Sequence, residues 1–407
     1  MFPPLFAPLI VWLLVPVQVA VADIDSFPQF PLSVLLNETA TTDDPSWLKK
    51  YGSQIDQAFS GPLSFSHIPY RRCLENASAQ FDIAILGMPF DTGVTYRSGA
   101  RFGPYAIRSG SRRQREARGY TLSWGTDPYH QGFTILDCGD IPISPFDNAL
   151  AIDQIQVAYS TLLRRSMIAE PSRMPVVWPL GYDRATHPRI ISLGGDHTIV
   201  LPILRSLNKV YGPVSVIHFD AHLDTWVTYP GQSTPQSRVT HGTFFSLAWE
   251  EGLIASNSVH AGIRCKLGEG DLENDQVVGF QVISTDDIDD LGVSEIIRLI
   301  RKRIGQSPVY LRQVPSRLDI DVLDPGLAPA TGTPEAGGWT TRELKRIIRG
   351  LAGLNFVGAD IVEVSPAYDN AEITGIAAAD LVHDFLSLFL STFPPMIHTQ
   401  RSVSNPR

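Results

Sequence analysis

The chain has 407 residues, 43% hydrophobic and 18% charged, the balance of a globular enzyme with one large α/β domain or two smaller ones. Its formal net charge of -9 argues against nucleic acid as the main partner and mildly suits a cationic substrate.

In chain order, Leu5 to Ala22 is an apolar run without a charge, and Ala20-Val21-Ala22 offers an A-x-A-like cleavage site before Asp23. This predicts a signal peptide over 1–22 and a protein that is secreted or sent along the vacuolar route. The alternative is a signal anchor that stays in the membrane. Pro8 and Pro16 disfavour it in a run near the ~18-residue spanning threshold. No Lys or Arg precedes the run, a departure from the usual signal. Asn37-Glu38-Thr39 and Asn76-Ala77-Ser78 are glycosylation sequons and add weak support. Cys73, Cys138 and Cys265 are an odd set, which leaves two readings: one disulfide, or three buried thiols.

Residues 23–80 are rich in Pro, Ser, Asp and Asn and lack periodicity, as expected of an N-terminal extension lying on the domain surface. From Phe81 the pattern changes. Short apolar runs at 81–86, 189–193, 214–219, 308–311, 318–320 and 356–362 read as buried strands. Helical spacing appears between them, over 198–211, 294–304, 343–354 and 377–390. Thr340 and Glu343 form a capping box for the third of these helices. Strands alternating with helices predict an α/β fold with a mostly parallel sheet covered on both faces, over 81–393, followed by a tail over 394–407.

The polar clusters share one address. Gly194-Gly195-Asp196-His197, Asp220-Ala-His222-Leu-Asp224, Asp319-Ile-Asp321 and Glu363-Val-Ser-Pro366 each fall at or just past the carboxyl end of a predicted strand, where open α/β sheets bind ligands. In an extended strand alternate side chains share a face, so Asp220, His222 and Asp224 converge, as do Asp319 and Asp321. Carboxylates gathered this way repel one another unless a cation sits among them. With His197 they make six candidate ligands, too many for one ordinary site and suited to two divalent ions. The absence of a thiolate favours Mn²⁺ first, then Co²⁺ or Zn²⁺. Two such ions lower the pKa of a shared water toward neutrality, which points to hydrolysis of a poor electrophile.

These motifs, with Asp319-Ile-Asp-Val-Leu-Asp-Pro325 and Thr331-Gly-Thr-Pro-Glu-Ala-Gly-Gly338, resemble the ureohydrolases: arginases, agmatinases and guanidino-acid relatives. The resemblance spans about Phe81 to Leu390. It implies a three-layer α/β/α fold, two Mn²⁺ ions, a homo-oligomer, and release of urea from a small cationic guanidino compound. It implies that His197, Asp220, Asp224 and Asp319 hold one ion, that His222, Asp220, Asp319 and Asp321 hold the other, and that Asp220 and Asp319 bridge. Asp224 thus belongs to both the metal and the catalytic set. His241, in His241-Gly-Thr243, resembles the family's proton-transfer histidine, and Glu363 the carboxylate that binds the guanidinium. Gly87-Met-Pro-Phe-Asp-Thr-Gly93, Arg97-Ser-Gly-Ala-Arg-Phe-Gly-Pro104 and Glu363-Val-Ser-Pro-Ala-Tyr-Asp369 look like the agmatinase branch, which implies agmatine as substrate. Residues 225–240 lack the Asn- and Ser-containing arginase pattern; Trp226 suggests a different environment for the substrate's tail. Arg238 would suit a carboxylate there, so guanidinobutyrate is the competing substrate, and arginine a further one.

One segment departs from the family. Arg312-Gln-Val-Pro-Ser-Arg317 intervenes between a predicted strand and Leu318-Asp319. Proline and two arginines suit a central strand poorly. Either these residues loop out before the strand resumes, or they are foreign to the natural product, as a retained intron fragment would be. If they are real, the placement of Asp319 and Asp321 is in question, and an inactive binding protein on the same fold becomes the rival reading. A deacetylase on a similar fold is a second rival that the Glu363 segment fits poorly.

Overall fold

The computed structural model describes residues 45–54, 63–169, 178–227, 232, 234–305 and 314–395. The predicted signal peptide, Asn37, the run at 308–311 and most of the tail lie outside these residues.

Among the described residues, eight strands form one sheet: β1 (Ile83–Met88), β2 (Ile135–Asp140), β3 (Arg189–Gly194), β4 (Ile217–Phe219), β5 (Ser258–Ile263), β6 (Phe280–Ser284), β7 (Val314–Asp319) and β8 (Phe356–Val362). Their order is β2-β1-β3-β8-β7-β4-β5-β6, and every pairing is parallel. The helices are α1 (Trp47–Tyr51), α2 (Gly103–Gly110), α3 (Asn148–Leu163), α4 (Val200–Tyr211), α5 (Phe244–Glu250), α6 (Asp271–Val278), α7 (Asp287–Leu291), α8 (Val293–Ile304), α9 (Thr341–Gly350) and α10 (Ile373–Phe389).

Strand alternation sorts the core into two layers. Ile83, Ile85, Ile191, Leu193, Ile217 and Phe219 join a cluster with α8, α9 and α10. Ala84, Leu86, Met88, Ile190 and Val216 join another with α3, α4 and α5. Because both faces are covered, the strands need apolar residues at nearly every position, and β1 and β3 are buried throughout. The three-layer α/β/α expectation therefore holds. Thr340 and Glu343 form the predicted capping box at the start of α9.

The strand order puts β3, β8, β7 and β4 side by side, and these are the four strands whose carboxyl ends carry the polar clusters. The chain leaves β3 and returns in β4 three strands away, which opens a crevice at the sheet's carboxyl edge.

Three features bear on the expectations above. The described part of the extension packs against the domain: Trp47 and Phe65 are 1% and 0% exposed, Tyr70 bridges to Asp137, and Gln54 donates to the Cys138 and Asp140 carbonyls. The cysteines are not all thiols: Cys73 and Cys138 form a disulfide, and Cys265 is free. Finally, Val314–Arg317 do not loop out. Ser316, Arg317 and Leu318 pair with Ile217, His218 and Phe219 of β4 and with Ala359, Asp360 and Ile361 of β8. The ladder shifts register between Val314 and Pro315, where proline has no amide proton to give. Beyond that irregularity the strand runs in register into Asp319.

Candidate metal centre

His197 reaches the sheet edge through a turn that needs glycine. A side chain at Gly195 would come within 2.0 Å of the Phe90 carbonyl oxygen. Asp196 fixes the turn, accepting from Thr198 N at 2.9 Å and Gly93 N at 2.8 Å. His197 is thereby fully buried, with Nδ1 3.1 Å from Asp220 Oδ2, 2.9 Å from Asp224 Oδ2 and 3.4 Å from Asp319 Oδ2. A second focus lies beside the first: His222 Nδ1 is 3.2 Å from Asp220 Oδ1 and 3.1 Å from Asp321 Oδ2. All six predicted ligands thus come together. Asp220 faces both foci with one oxygen each, as a bridging carboxylate would. The measured contact of Asp319 is to the first focus, and its Oδ1 accepts from Asp321 N at 2.9 Å.

The donor set fits divalent cations. His197 Nδ1 and Asp220 Oδ2 are buried without a hydrogen-bond partner, an arrangement that costs free energy unless something electropositive lies between them. Ligand atoms of His197, His218, Asp220 and Asp224, and likewise of Asp220, His222 and Asp321, lie within 4.8 Å of one another. The electrostatics agree. Burial, then the charges of Asp321 and Asp220, hold the Asp319 carboxyl well above the usual range. Burial and Asp220 push Asp321 up to about 6. Burial opposes charge on His197, but the neighbouring carboxylates of Asp220, Asp224 and Asp319 outweigh it and raise that imidazole well above its ordinary value.

Glu363 and Asp224 carry local strain: their φ angles are +63° and +57°, in the left-handed region that L residues avoid. That turn points the Glu363 side chain back into the crevice. Oε1 accepts from His197 N at 2.9 Å and lies 3.5 Å from His241 Nδ1. Oε2 is buried without a partner. It faces Gly332, where a Cβ would come within 2.9 Å of Oε2 and 3.1 Å of the Arg97 carbonyl oxygen, so glycine keeps this space open. On the other side of His241, Nε2 lies 2.9 Å from Thr95 Oγ1 and 3.2 Å from Thr95 N. Burial opposes charge on His241, but the hydrogen bond and charge of Glu363, followed by Asp224 and Asp196, raise its pKa.

Two neighbours escaped the sequence reading. His218 Nε2 is 2.9 Å from Asp220 Oδ2. The signal was present, since His218 precedes Asp220 by two positions and so shares its strand face. Thr95 sits in a loop whose sequence gives no sign of its role. Arg238, the suspected carboxylate partner, instead donates to Glu250 Oε1 at 2.6 Å, and Trp226 Nε1 donates to Asp271 Oδ2 at 3.1 Å.

Residues 81–387 match the arginase family. The chain belongs to that family. Over 344 residues this arginase-family chain is 50% identical to putative agmatinase 1 of Schizosaccharomyces pombe, covering 84% of one and 85% of the other. It is 41% identical to agmatinase of Chromobacterium violaceum, covering 83% of this chain and 92% of that protein. Among solved structures, proclavaminate amidino hydrolase from Streptomyces clavuligerus superposes with a TM-score of 0.68 at 32% identity, covering 82% of this chain and 99% of that one.

Proposed function

We propose that this arginase-family protein is a ureohydrolase of the agmatinase type, cleaving agmatine to putrescine and urea at a centre that holds two Mn²⁺ ions. The observation that carries the reading is the lone Oε2 of Glu363, buried and facing the space kept by Gly332, with the His/Asp cluster on one side and His241 on the other. His197, Asp220, Asp224 and Asp319 would hold one ion, and His222, Asp220, Asp319 and Asp321 the other. The oxygen and imidazole donors favour Mn²⁺. Bound, the two ions supply a nucleophile derived from water near neutral pH.

The chain's own residues do the rest. The Glu363 carboxylate receives the planar guanidinium in fork geometry and holds its carbon toward the metal side. Glu363 raises the His241 pKa and so favours the form that can give a proton to the departing amine nitrogen, and Thr95 lies against the ring's Nε2. Asp224, strained into the left-handed region, keeps its carboxylate beside His197, where it would help to hold one ion. Agmatine is favoured over guanidinobutyrate because Arg238 already spends its charge on Glu250.

The test is urea release by the Mn²⁺-loaded protein from agmatine, guanidinobutyrate and arginine. Agmatine should be the best of the three. No urea from any of them overturns the activity, and preference for guanidinobutyrate overturns the substrate. Manganese analysis should find two ions per chain; near zero would favour the inactive binding protein.

The same reading includes entry to the secretory pathway and glycosylation. The Cys73–Cys138 disulfide supports it, since such bonds persist in oxidising compartments, as does the exposed sequon at Asn76. A mature chain beginning at Asp23 and sensitive to an N-glycosidase is the expected result. A homo-oligomer rests on the family alone, and its size in solution tests it.

A further inference from the structure

A line of buried polar groups runs away from the metal cluster into the layer between β4, β5 and α6. His218 Nδ1 faces His260 Nδ1 at 2.7 Å, and His260 Nε2 faces Asp275 Oδ1 at 3.0 Å. The same Asp275 oxygen accepts from Thr225 Oγ1 at 2.9 Å. At one end of the line stands Asp220, 2.9 Å from His218 Nε2; at the other stands Thr225, the neighbour of Asp224. The line therefore starts at one candidate metal ligand and ends beside another, with Asp275 as the joint.

Its members are costly to bury. His218 and His260 are 0% exposed and Asp275 is 1% exposed. Packing alone would be served better by apolar side chains. The rings are also clamped: His260 stacks on Phe280 at 3.8 Å and 8°, and His218 meets Phe245 edge-on at 4.8 Å. Two imidazoles facing each other through Nδ1 must take opposite roles, one donating and one accepting. With His260 as donor, His218 accepts through Nδ1 and turns its Nε2 to Asp220 Oδ2 at 2.9 Å.

We propose that His218, His260, Asp275 and Thr225 are positioning residues that hold Asp220 and Asp224 in the orientation two metal ions require, with Asp275 coupling the two. The inference rests on the metal-centre reading above. In metalloproteins, outer carboxylates that orient ligands typically govern metal affinity by about 10–100-fold.

Equilibrium dialysis of the metal-free full chain against Mn²⁺, alongside the melting temperature of the metal-free protein, tests the inference. Asp275→Asn and His260→Gln should each weaken Mn²⁺ binding about 10–100-fold with little change in the metal-free melting temperature. Thr225→Val should weaken it less, and Thr225→Ser, which keeps the hydroxyl, should match wild type. At saturating Mn²⁺ the first two variants should regain most of their urea release. Unchanged Mn²⁺ affinity overturns the proposal. So does a loss of affinity that merely tracks a loss of metal-free stability, or that Thr225→Ser shares. If wild type itself binds no Mn²⁺, the functional reading fails rather than this one, so the two failures are distinguishable.

Discussion

Glu363 ties three parts of the site together. It accepts from the backbone of His197, faces His241, and leaves one oxygen for a ligand. Glu363→Gln keeps the shape and removes the charge. Losing one side of a buried charge pair costs about 2–5 kcal/mol, so kcat/KM for agmatine should fall roughly 30- to 4,000-fold. The same change has a pH signature. Glu363 is the leading influence raising the His241 pKa, against burial. Without its charge the imidazole loses its proton at lower pH. Because the protonated form is the one that serves the leaving amine, the alkaline limb of the rate profile should move to lower pH; a limb that stays in place would sever Glu363 from His241. Arg238→Ala should leave agmatine turnover within about twofold, since a partly exposed ion pair such as Arg238–Glu250 contributes only about 0–1 kcal/mol. A large loss would show that Arg238 reaches the substrate.

At the level of elements, α9 shows how local signals and packing combine. Its capping box satisfies two otherwise orphaned amides, and Leu344, Ile347 and Ile348 are buried along one face. Thr340→Ala should cost about 0.5–2 kcal/mol, measurable by chemical denaturation, without altering Mn²⁺ content. These elements were legible in the sequence because cap chemistry and period agree. The helices at Val200–Tyr211 and Val293–Ile304 were legible from apolar spacing alone, since neither carries a side-chain cap. Strand alternation predicted that Asp220 and His222 converge, and they do, although both lie past Phe219, where β4 ends. The same rule reaches His218, but a histidine inside an apolar run resembles a core residue until its neighbours are known. β5, β6 and α3 went unread: their residues do not stand out from surrounding loops, and only the sheet assigns them partners. β7 ran the other way. Its proline and arginines argue against a central strand, yet pairing with β4 and β8 on both sides keeps its backbone in the sheet. Tertiary pairing there outweighs local preference.

For the molecule as a whole, the described part of the extension, from Pro45 on, is fastened to the domain. The Cys73–Cys138 bond links the segment before β1 to β2 across 65 residues, and Trp47 and Phe65 fill the core beside it. Cys73→Ser should lower unfolding free energy by about 2–4 kcal/mol. Loss of Mn²⁺ binding before global unfolding is not expected, because the disulfide lies with β1 and β2 and the ligands gather on β3, β8, β7 and β4. Denaturation followed by fluorescence and by bound manganese should therefore give coincident transitions. The fold and the clustering of the candidate ligands were both visible in the sequence because strand-end motifs carry position and chemistry at once. The disulfide was not, since three cysteines without a recognisable spacing say nothing of proximity.

The crevice is built from residues as far apart in the chain as Thr95 and Glu363, brought together by non-consecutive strands. Contacts of such long sequence separation form late and slowly during folding. The metal pocket is then a product of the finished sheet rather than a seed for it. During synthesis no nascent chain lacking β8 carries Glu363, so the crevice cannot be complete before that strand emerges. Refolding followed by recovery of urea release should lag the return of helical circular dichroism, with added Mn²⁺ changing the yield at the end and leaving the early phase untouched.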